Sequence, residues 1–173
     1  PLAGPANKQG RIVADVICGK KAAYKGSQGT SVMKFFDQVV ACTGEKEESL
    51  RAAGTPDRKT FTVSASHAGY YPGGSQMIVK LLYTPDEGKI LGAQIVGGDG
   101  VDKRIDHLAN AVRFGLTVYD LTEMELAYAP PFSSAKDPVN MAGYVAQNVL
   151  EGSMVPFYPE DLENLPEDAI RID

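Results

Sequence analysis

The chain has 173 residues, of which 43% are apolar and 23% charged, enough to bury one core of ordinary size with appendages. Its formal net charge of -5 and pI near 5.1 offer no basic field for nucleic acid or an anionic membrane surface. No apolar run approaches the about 20 residues that span a bilayer and no charged-then-apolar leader is seen, so we expect a cytoplasmic protein.

The first predicted element is a short helix over residues 8–18, because apolar side chains recur there at i, i+1, i+4 and i+5. Asn7 is its candidate N-cap and Gly19 ends it. Residues 31–43 are rich in Val and Phe and are predicted to form one strand. A polar, charge-rich helix is predicted over residues 45–53.

Three more strands are predicted over residues 59–66, 76–83 and 89–96. The last two are joined by Thr84-Pro85-Asp86-Glu87-Gly88. In this segment Pro presets one turn dihedral, Asp can bond the backbone and Gly supplies a positive φ. The sequence therefore predicts a hairpin at this point.

Two amphipathic helices follow, one over residues 102–116 and one that begins at Asp137-Pro138, an N-cap followed by the residue favoured at the first helical position. Adjacent antiparallel strands with helices on one side predict an α+β fold with an antiparallel sheet of about four strands. Beyond Gly152 the chain becomes rich in proline, which predicts a linker over residues 153–173. The first residue is Pro1 and the last segment is a hydrophobic run, so both ends are expected to be cut.

Few residues suggest chemistry by themselves. His67 and His107 lack the companions of a metal site, and the glycines of residues 96–100 lack the GxGxxG spacing of a phosphate loop. Two loops rich in Gly or Pro expose tyrosines: Tyr70 follows one strand and Tyr128 lies just before Pro130-Pro131. Composition alone favours a packing role for each ring.

Four segments, PLAGPANKQGR, HAGYYPGG, GAQIVGGDGVDKRID and ELAYAPPFSSAKDPVNMAGYVAQN, together resemble the pyridine nucleotide-disulfide oxidoreductases, and most of all the coenzyme A disulfide reductases. The resemblance spans about residues 1–150. It implies the end of an FAD-binding domain over residues 1–28 and a dimerisation domain of the FAD/NAD-linked reductase type over residues 29–152. Residues 153–173 are then a linker and the possible start of a rhodanese domain, whose first strand the tail resembles.

The same resemblance implies that Tyr70 and Tyr128 are catalytic and reach the active site of the partner subunit, replacing the family's usual histidine acid. Reduction of a coenzyme A disulfide releases a thiolate, to which a tyrosine hydroxyl can donate a hydrogen bond at neutral pH. Implied contacts to the flavin come from Leu2, Ala3, Gly4 and Tyr128, and implied contacts to the substrate from Asn7, Lys8 and Lys136.

The implied parent is a homodimer that uses FAD, NAD(P)H and coenzyme A disulfide, with the FAD and NAD(P)H domains in the same chain. The redox cysteine and both nucleotide fingerprints lie outside these residues, so the chain alone is expected to be inactive and to bind no cofactor tightly. Metal, nucleic acid and membrane are not expected partners. Two alternatives stay open: a fragment of an NADH oxidase or peroxidase, and a noncatalytic ligand-binding module.

Overall fold

The computed structural model describes residues 2–166 and 169–170. Within this range, the helices and strands follow the order α1 (Ala3–Ile17), β1 (Ser31–Phe35), β2 (Gln38–Gly44), α2 (Glu47–Ala53), β3 (Arg58–Ala65), β4 (Gln76–Tyr83), β5 (Ile90–Gly97), α3 (Val101–Phe114), α4 (Val118–Glu123), α5 (Pro138–Leu150) and a 3-10 helix (Pro159–Asn164). In that part of the chain no helix is both long and apolar enough to cross a membrane.

The strands form one antiparallel sheet in the order β1-β2-β5-β4-β3, which confirms the predicted α+β class. The described residues give five strands where about four were predicted. The strand predicted over residues 31–43 is in fact the hairpin β1–β2, in which Phe35 pairs with Gln38. Phe36 takes a positive φ of 49°, a conformation that tight hairpin turns usually assign to Gly, Asn or Asp. Because Phe carries no such turn signal, the sequence hid the break.

Helices α3 and α5 pack on one face of the sheet, α3 against β2 and β5 and α5 against β3. Their predicted apolar faces are confirmed: Ile105 and Leu108 of α3 and Val139 and Ala146 of α5 are buried. They meet Leu81, Ile95 and other buried side chains of the central strands in one core. Each fully buried Leu or Ile contributes about 1.5–3 kcal/mol of transfer free energy.

Two glycines let the chain leave β2 and cross close to β5. A Cβ on Gly92 would lie 2.1 Å from the carbonyl oxygen of Glu45, and a Cβ on Gly44 would lie 2.3 Å from that of Leu91. Gly44 also has a positive φ of 69°. Any larger residue at position 92 would push the backbone before α2 away from the sheet.

Helix α1 lies outside the core, since its residues are exposed or half-buried. It begins at Ala3, five residues before the predicted start at residue 8, and its N-cap is Leu2. The prediction of Asn7 as N-cap is wrong, because Asn7 is inside the helix and its side-chain amide donates to the Ala3 carbonyl at 2.9 Å.

The opposite face of the sheet carries an apolar row with one residue from each of the five strands, which we call the open-face row. Strand register aligns its members side by side: Met33, Val40, Val96, Ile78 and Val63. Each is between 37% and 63% exposed. A continuous exposed apolar surface of this kind is typical of a domain that another surface covers.

The tail is anchored to the edge strand β3. Tyr158 donates its hydroxyl hydrogen bond to the Lys59 carbonyl and packs edge-on against Phe61 at 6.2 Å between ring centroids. Residues 159–164, part of the stretch that resembles a rhodanese strand, form a 3-10 helix. Of the rest of that stretch, residues 167–168 and 171–173 lie outside the described residues, as does Pro1. The rhodanese domain stays a prediction.

Candidate functional site

Two loops bring the predicted catalytic tyrosines together. The β3–β4 loop, residues 66–75, carries Tyr70, and the α4–α5 loop, residues 124–137, carries Tyr128. Their hydroxyl oxygens are 3.0 Å apart, within hydrogen-bond distance, although the residues are 58 positions apart in the chain. The side chains are 76% and 48% exposed, so this tyrosine pair faces outward from the domain.

The contact changes the acidity of one hydroxyl. The hydrogen bond with Tyr70, with a smaller contribution from burial, raises the pKa of Tyr128 above its ordinary value. A free tyrosine already holds its proton up to about pH 10. Tyr128 is therefore protonated at neutral pH and can donate a hydrogen bond or a proton, but it is a poor base.

A buried guanidinium lies beneath the two loops. Arg104 of α3 is 1% exposed and donates to both carboxylate oxygens of Asp137, at 2.9 Å from Nη2 and 3.3 Å from Nε. Its Nη2 also donates to the Ser66 carbonyl at 2.9 Å and to the Ser133 hydroxyl at 3.2 Å. Ser133 in turn donates to Asp137 at 2.6 Å. We call Arg104, Asp137 and Ser133 the Arg104 cluster.

Asp137 also begins helix α5, as predicted. Its carboxylate accepts the Val139 amide at 3.0 Å, and the Asn140 side chain accepts the Asp137 amide, which completes a capping box. Burial alone would raise the pKa of Asp137. The hydrogen bonds from Arg104, Ser133 and the Val139 amide outweigh burial and hold the pKa below its usual range.

Arg104 and Ser133 were not among the predicted site residues. One signal was present, since Arg104 lies in the apolar stripe of α3, three residues after Val101 and four before Leu108, both fully buried. A charge at such a position needs a buried counter-ion. Which acid provides it depends on the packing of α5 against the sheet, which helical periodicity does not reveal.

An open groove of about 730 Å³ runs beside the tyrosine pair, lined by Tyr128, Phe132, Tyr71, His67 and Lys103 among others. His67 is 7% exposed and stacks edge-on against Tyr71 at 5.6 Å, which supports a packing role. Lys103 donates to the Ala127 carbonyl at 3.4 Å. The lining of the groove is mostly apolar.

Lys136 is on the same loop as Tyr128 and is exposed, with its ammonium 5.9 Å from the ring centroid of Tyr144. An exposed ammonium on a four-carbon stem can swing toward an anionic ligand near the tyrosine pair. Position and charge thus fit the predicted substrate contact.

The N-terminal residues predicted to contact flavin and substrate are placed elsewhere. Leu2 and Lys8 line a second, smaller groove together with Tyr24 and Arg113. Arg113 is nine residues after Arg104 on α3, about 14 Å along the helix axis. Ala3, Gly4 and Asn7 are exposed at the start of α1. Within one chain, the two predicted parts of the site are thus separate.

Cofactor contacts were predicted for the start of α1, and its geometry fits them. The N-cap Leu2 has an apolar side chain, so the first amide groups of the helix are available to another acceptor. A Cβ on Gly4 would meet no atom within 4 Å, which leaves room for a flat ring system to approach the backbone. For metal, the residues that the structure describes contain no group of three His, Cys, Asp or Glu side chains placed to hold an ion.

Residues 30–139 match the family described as pyridine nucleotide-disulphide oxidoreductase, dimerisation domain. The chain therefore belongs to this family, and the predicted family and fold are confirmed. A coenzyme A disulfide reductase of Staphylococcus aureus is 44% identical over 149 residues, which are 85% of this chain and 33% of the relative. The chain spans about a third of the length of the curated relatives it matches.

Two solved structures extend this likeness. The reduced CoADR-RHD of Bacillus anthracis superposes with a TM-score of 0.92 at 49% identity, covering 95% of this chain and 30% of that one. An NAD-dependent persulfide reductase from A. fulgidus superposes with a TM-score of 0.86 at 38% identity, covering 88% and 28%. In both, the part that matches this chain lies within a much longer chain.

Proposed function

We propose that this chain is the dimerisation domain of a cytoplasmic, homodimeric, FAD-dependent NAD(P)H:disulfide oxidoreductase that reduces coenzyme A disulfide or a persulfide. Tyr70 and Tyr128 of one subunit act at the flavin and redox cysteine of the other. The observation that carries this proposal is the 3.0 Å contact between two exposed tyrosine hydroxyls on separate loops. The names of its relatives support the substrate class.

The chemistry needs a proton donor near the sulfur that leaves. Cleavage of a disulfide by a thiolate releases a second thiolate, and a hydrogen bond to that sulfur stabilises it as the bond breaks. FAD, when bound, supplies the electrons that NAD(P)H delivers. Tyr128 supplies the hydrogen bond, because its raised pKa keeps its hydroxyl protonated at neutral pH.

The separation within one chain supports an action across the dimer. Leu2 and Lys8, the predicted contacts to flavin and substrate, line a groove beside the C-terminal half of α3, whereas Tyr128 lies beside its beginning. A second subunit related by a twofold axis can bring the tyrosines of one chain to the N-terminal segment of the other. The exposed open-face row supports the view that this domain is covered by other surfaces in the intact protein.

Lys136 is proposed to contact a phosphate of coenzyme A. It is exposed, on the same loop as Tyr128, and opposite in charge to such a group. Replacing Lys136 with Gln should raise KM for coenzyme A disulfide while kcat changes little. The same replacement at Lys21, an exposed lysine in the segment after α1, is the matched control.

The central test is Tyr128→Phe in the full-length protein. Removing one hydroxyl should slow disulfide reduction by about 10²-fold, the lower end of general-acid effects, while flavin content stays the same. Tyr119→Phe, which removes the hydroxyl of a similarly exposed tyrosine in α4 (40% against 48%), should turn over at the wild-type rate. Equal rates for Tyr128→Phe and wild type would end the proposed role.

Mixed dimers test the action across the interface. One subunit carries Tyr128→Phe and the other lacks its redox cysteine, which lies outside this chain. If the tyrosine serves the neighbouring site, the subunit with an intact cysteine receives an intact Tyr128 from its partner, and about half of wild-type activity returns. If the tyrosine serves its own subunit, the one site with a cysteine lacks the hydroxyl, and the mixed dimer turns over at about half the rate of the Tyr128→Phe homodimer.

A further inference from the structure

We propose that Arg104 is a positioning residue for the tyrosine pair: with Asp137 and Ser133 it holds the two tyrosine-bearing loops at the separation at which the hydroxyls of Tyr70 and Tyr128 meet. This inference rests on the proposed function, since it assigns a purpose to the geometry on which that function depends. Arg104 is not itself a catalytic residue.

The contacts of one guanidinium reach both loops. Arg104 Nη2 donates to the Ser66 carbonyl at 2.9 Å, where the β3–β4 loop begins. The same nitrogen donates to the Ser133 hydroxyl at 3.2 Å and the Phe132 carbonyl at 3.4 Å, in the α4–α5 loop. A backbone hydrogen bond from the Ala68 amide to the Ser133 carbonyl, at 3.0 Å, joins the loops directly.

Packing alone does not fix how the two hydroxyls meet, because Tyr70 is 76% and Tyr128 48% exposed. Their relative position therefore depends on where the backbone of each loop is held. Arg104 binds the carbonyl oxygens of Ser66 and Phe132. Tyr70 is four residues after Ser66, and Tyr128 is four residues before Phe132, so each tyrosine is close in sequence to a carbonyl that Arg104 holds.

A buried ion pair is a weak source of stability, since desolvation opposes the Coulomb attraction. The side chains of Arg104 and Asp137 are 1% and 2% exposed. Such a pair is better explained by the geometry it specifies. The planar fork of Arg reaches several acceptors at fixed angles, here Asp137, two loop carbonyls and the Gly100 carbonyl at the start of α3. A lysine ammonium would hold fewer of these acceptors together.

The test uses two variants of the full-length protein, Ser133→Ala and Arg104→Lys, with Thr43→Val as control. Ser133→Ala removes one hydroxyl of the Arg104 cluster and leaves the ion pair, so the fold is expected to persist. Thr43→Val also removes a buried hydroxyl. The Thr43 hydroxyl contacts Thr30, at 2.6 Å, and Gln28, and neither residue belongs to a tyrosine-bearing loop.

The readout is the pH titration of Tyr128, followed by NMR of tyrosine isotopically labelled at Cζ. Ser133→Ala and Arg104→Lys should move the Tyr128 titration down toward the ordinary value of about 10, because the hydrogen bond with Tyr70 loosens. Thr43→Val should leave the titration unchanged. A role in stability alone would lower the melting temperature in all three variants and leave the Tyr128 titration at its wild-type position.

Turnover separates the two proposals. Ser133→Ala should lower kcat for coenzyme A disulfide by up to about 10²-fold, the effect of a misplacement of about 1 Å, with KM nearly unchanged. If Tyr128→Phe slows turnover but neither cluster variant changes titration or kcat, the positioning role is refuted and the proposed function stands. If the titration shifts while Tyr128→Phe turns over normally, the Arg104 cluster orients the pair and the proposed function is refuted.

Discussion

Replacing Arg104 with Met would break the buried ion pair while keeping an unbranched side chain in the apolar stripe of α3. The Asp137 carboxylate, 2% exposed, would then keep its hydrogen bonds from Ser133 and the Val139 amide and the more distant Lys103 ammonium, 4.0 Å away. Removal of one partner from a buried pair costs about 3–5 kcal/mol, because the other charge stays buried without compensation. For a domain of this size each kcal/mol lowers Tm by about 2–4 °C, so we expect a decrease of about 6–20 °C.

The assay is urea and thermal unfolding of Arg104→Met, Asp137→Asn and the double variant. Asn at position 137 keeps an oxygen acceptor for the Val139 amide and removes the charge. The double variant should therefore be more stable than the sum of the single losses predicts, with a coupling free energy of about 0.5–3 kcal/mol. A loss below about 1 kcal/mol for Arg104→Met, or strict additivity, would refute the view that this pair is held together in the core.

Three further outcomes are expected. The pKa of Asp137 is lowered in the folded state, so its ionised form stabilises the fold above the unfolded pKa of about 3.9. This stability is lost as the pH falls through the folded pKa. Asp137→Asn should therefore flatten the acid dependence of the free energy of unfolding, measured in urea. Gly92→Ala should cost about 1–3 kcal/mol because its Cβ meets the Glu45 carbonyl at 2.1 Å, whereas Gly69→Ala, with no atom within 4 Å of its Cβ, should cost much less in the same assay. Tyr158→Phe should weaken the tail anchor by about 0.5–1.5 kcal/mol and speed limited proteolysis after residue 153, and Tyr119→Phe should leave the cleavage rate unchanged.

Local signals predicted most of the secondary structure. The predicted strand over residues 76–83 agrees with β4 at both ends, and Thr84–Gly88 joins it to β5, with Gly88 at a positive φ of 69°. Asp137 caps α5 as predicted. Each of these features depends on residues within a few positions of one another, where chain geometry limits the possible conformations. The β1–β2 break carries no turn signal and was missed; helix α4 was missed too, although Thr117 and Asp120 form a capping box at its start.

The sequence also singled out Tyr70 and Tyr128, through their resemblance to a family and their rigid loops. It did not determine that their hydroxyls lie 3.0 Å apart, because the loops are far apart in the chain. That distance depends on the order of the five strands and on the packing of α3 and α5 against them. Nor did periodicity reveal that Arg104 joins both loops.

What the sequence determined by itself is therefore most of the helices and strands, the family and the residues that bear a hydroxyl or a charge. The tertiary structure decided which of these residues meet. Hydrophobic periodicity reports only whether a side chain faces inward, and it is silent on the neighbour it finds there. At Arg104 that neighbour is Asp137, 33 positions away in the chain. A buried guanidinium needs a counter-ion because burial of an unpaired charge is costly, and only the packing of α3 against α5 decides which acid provides it.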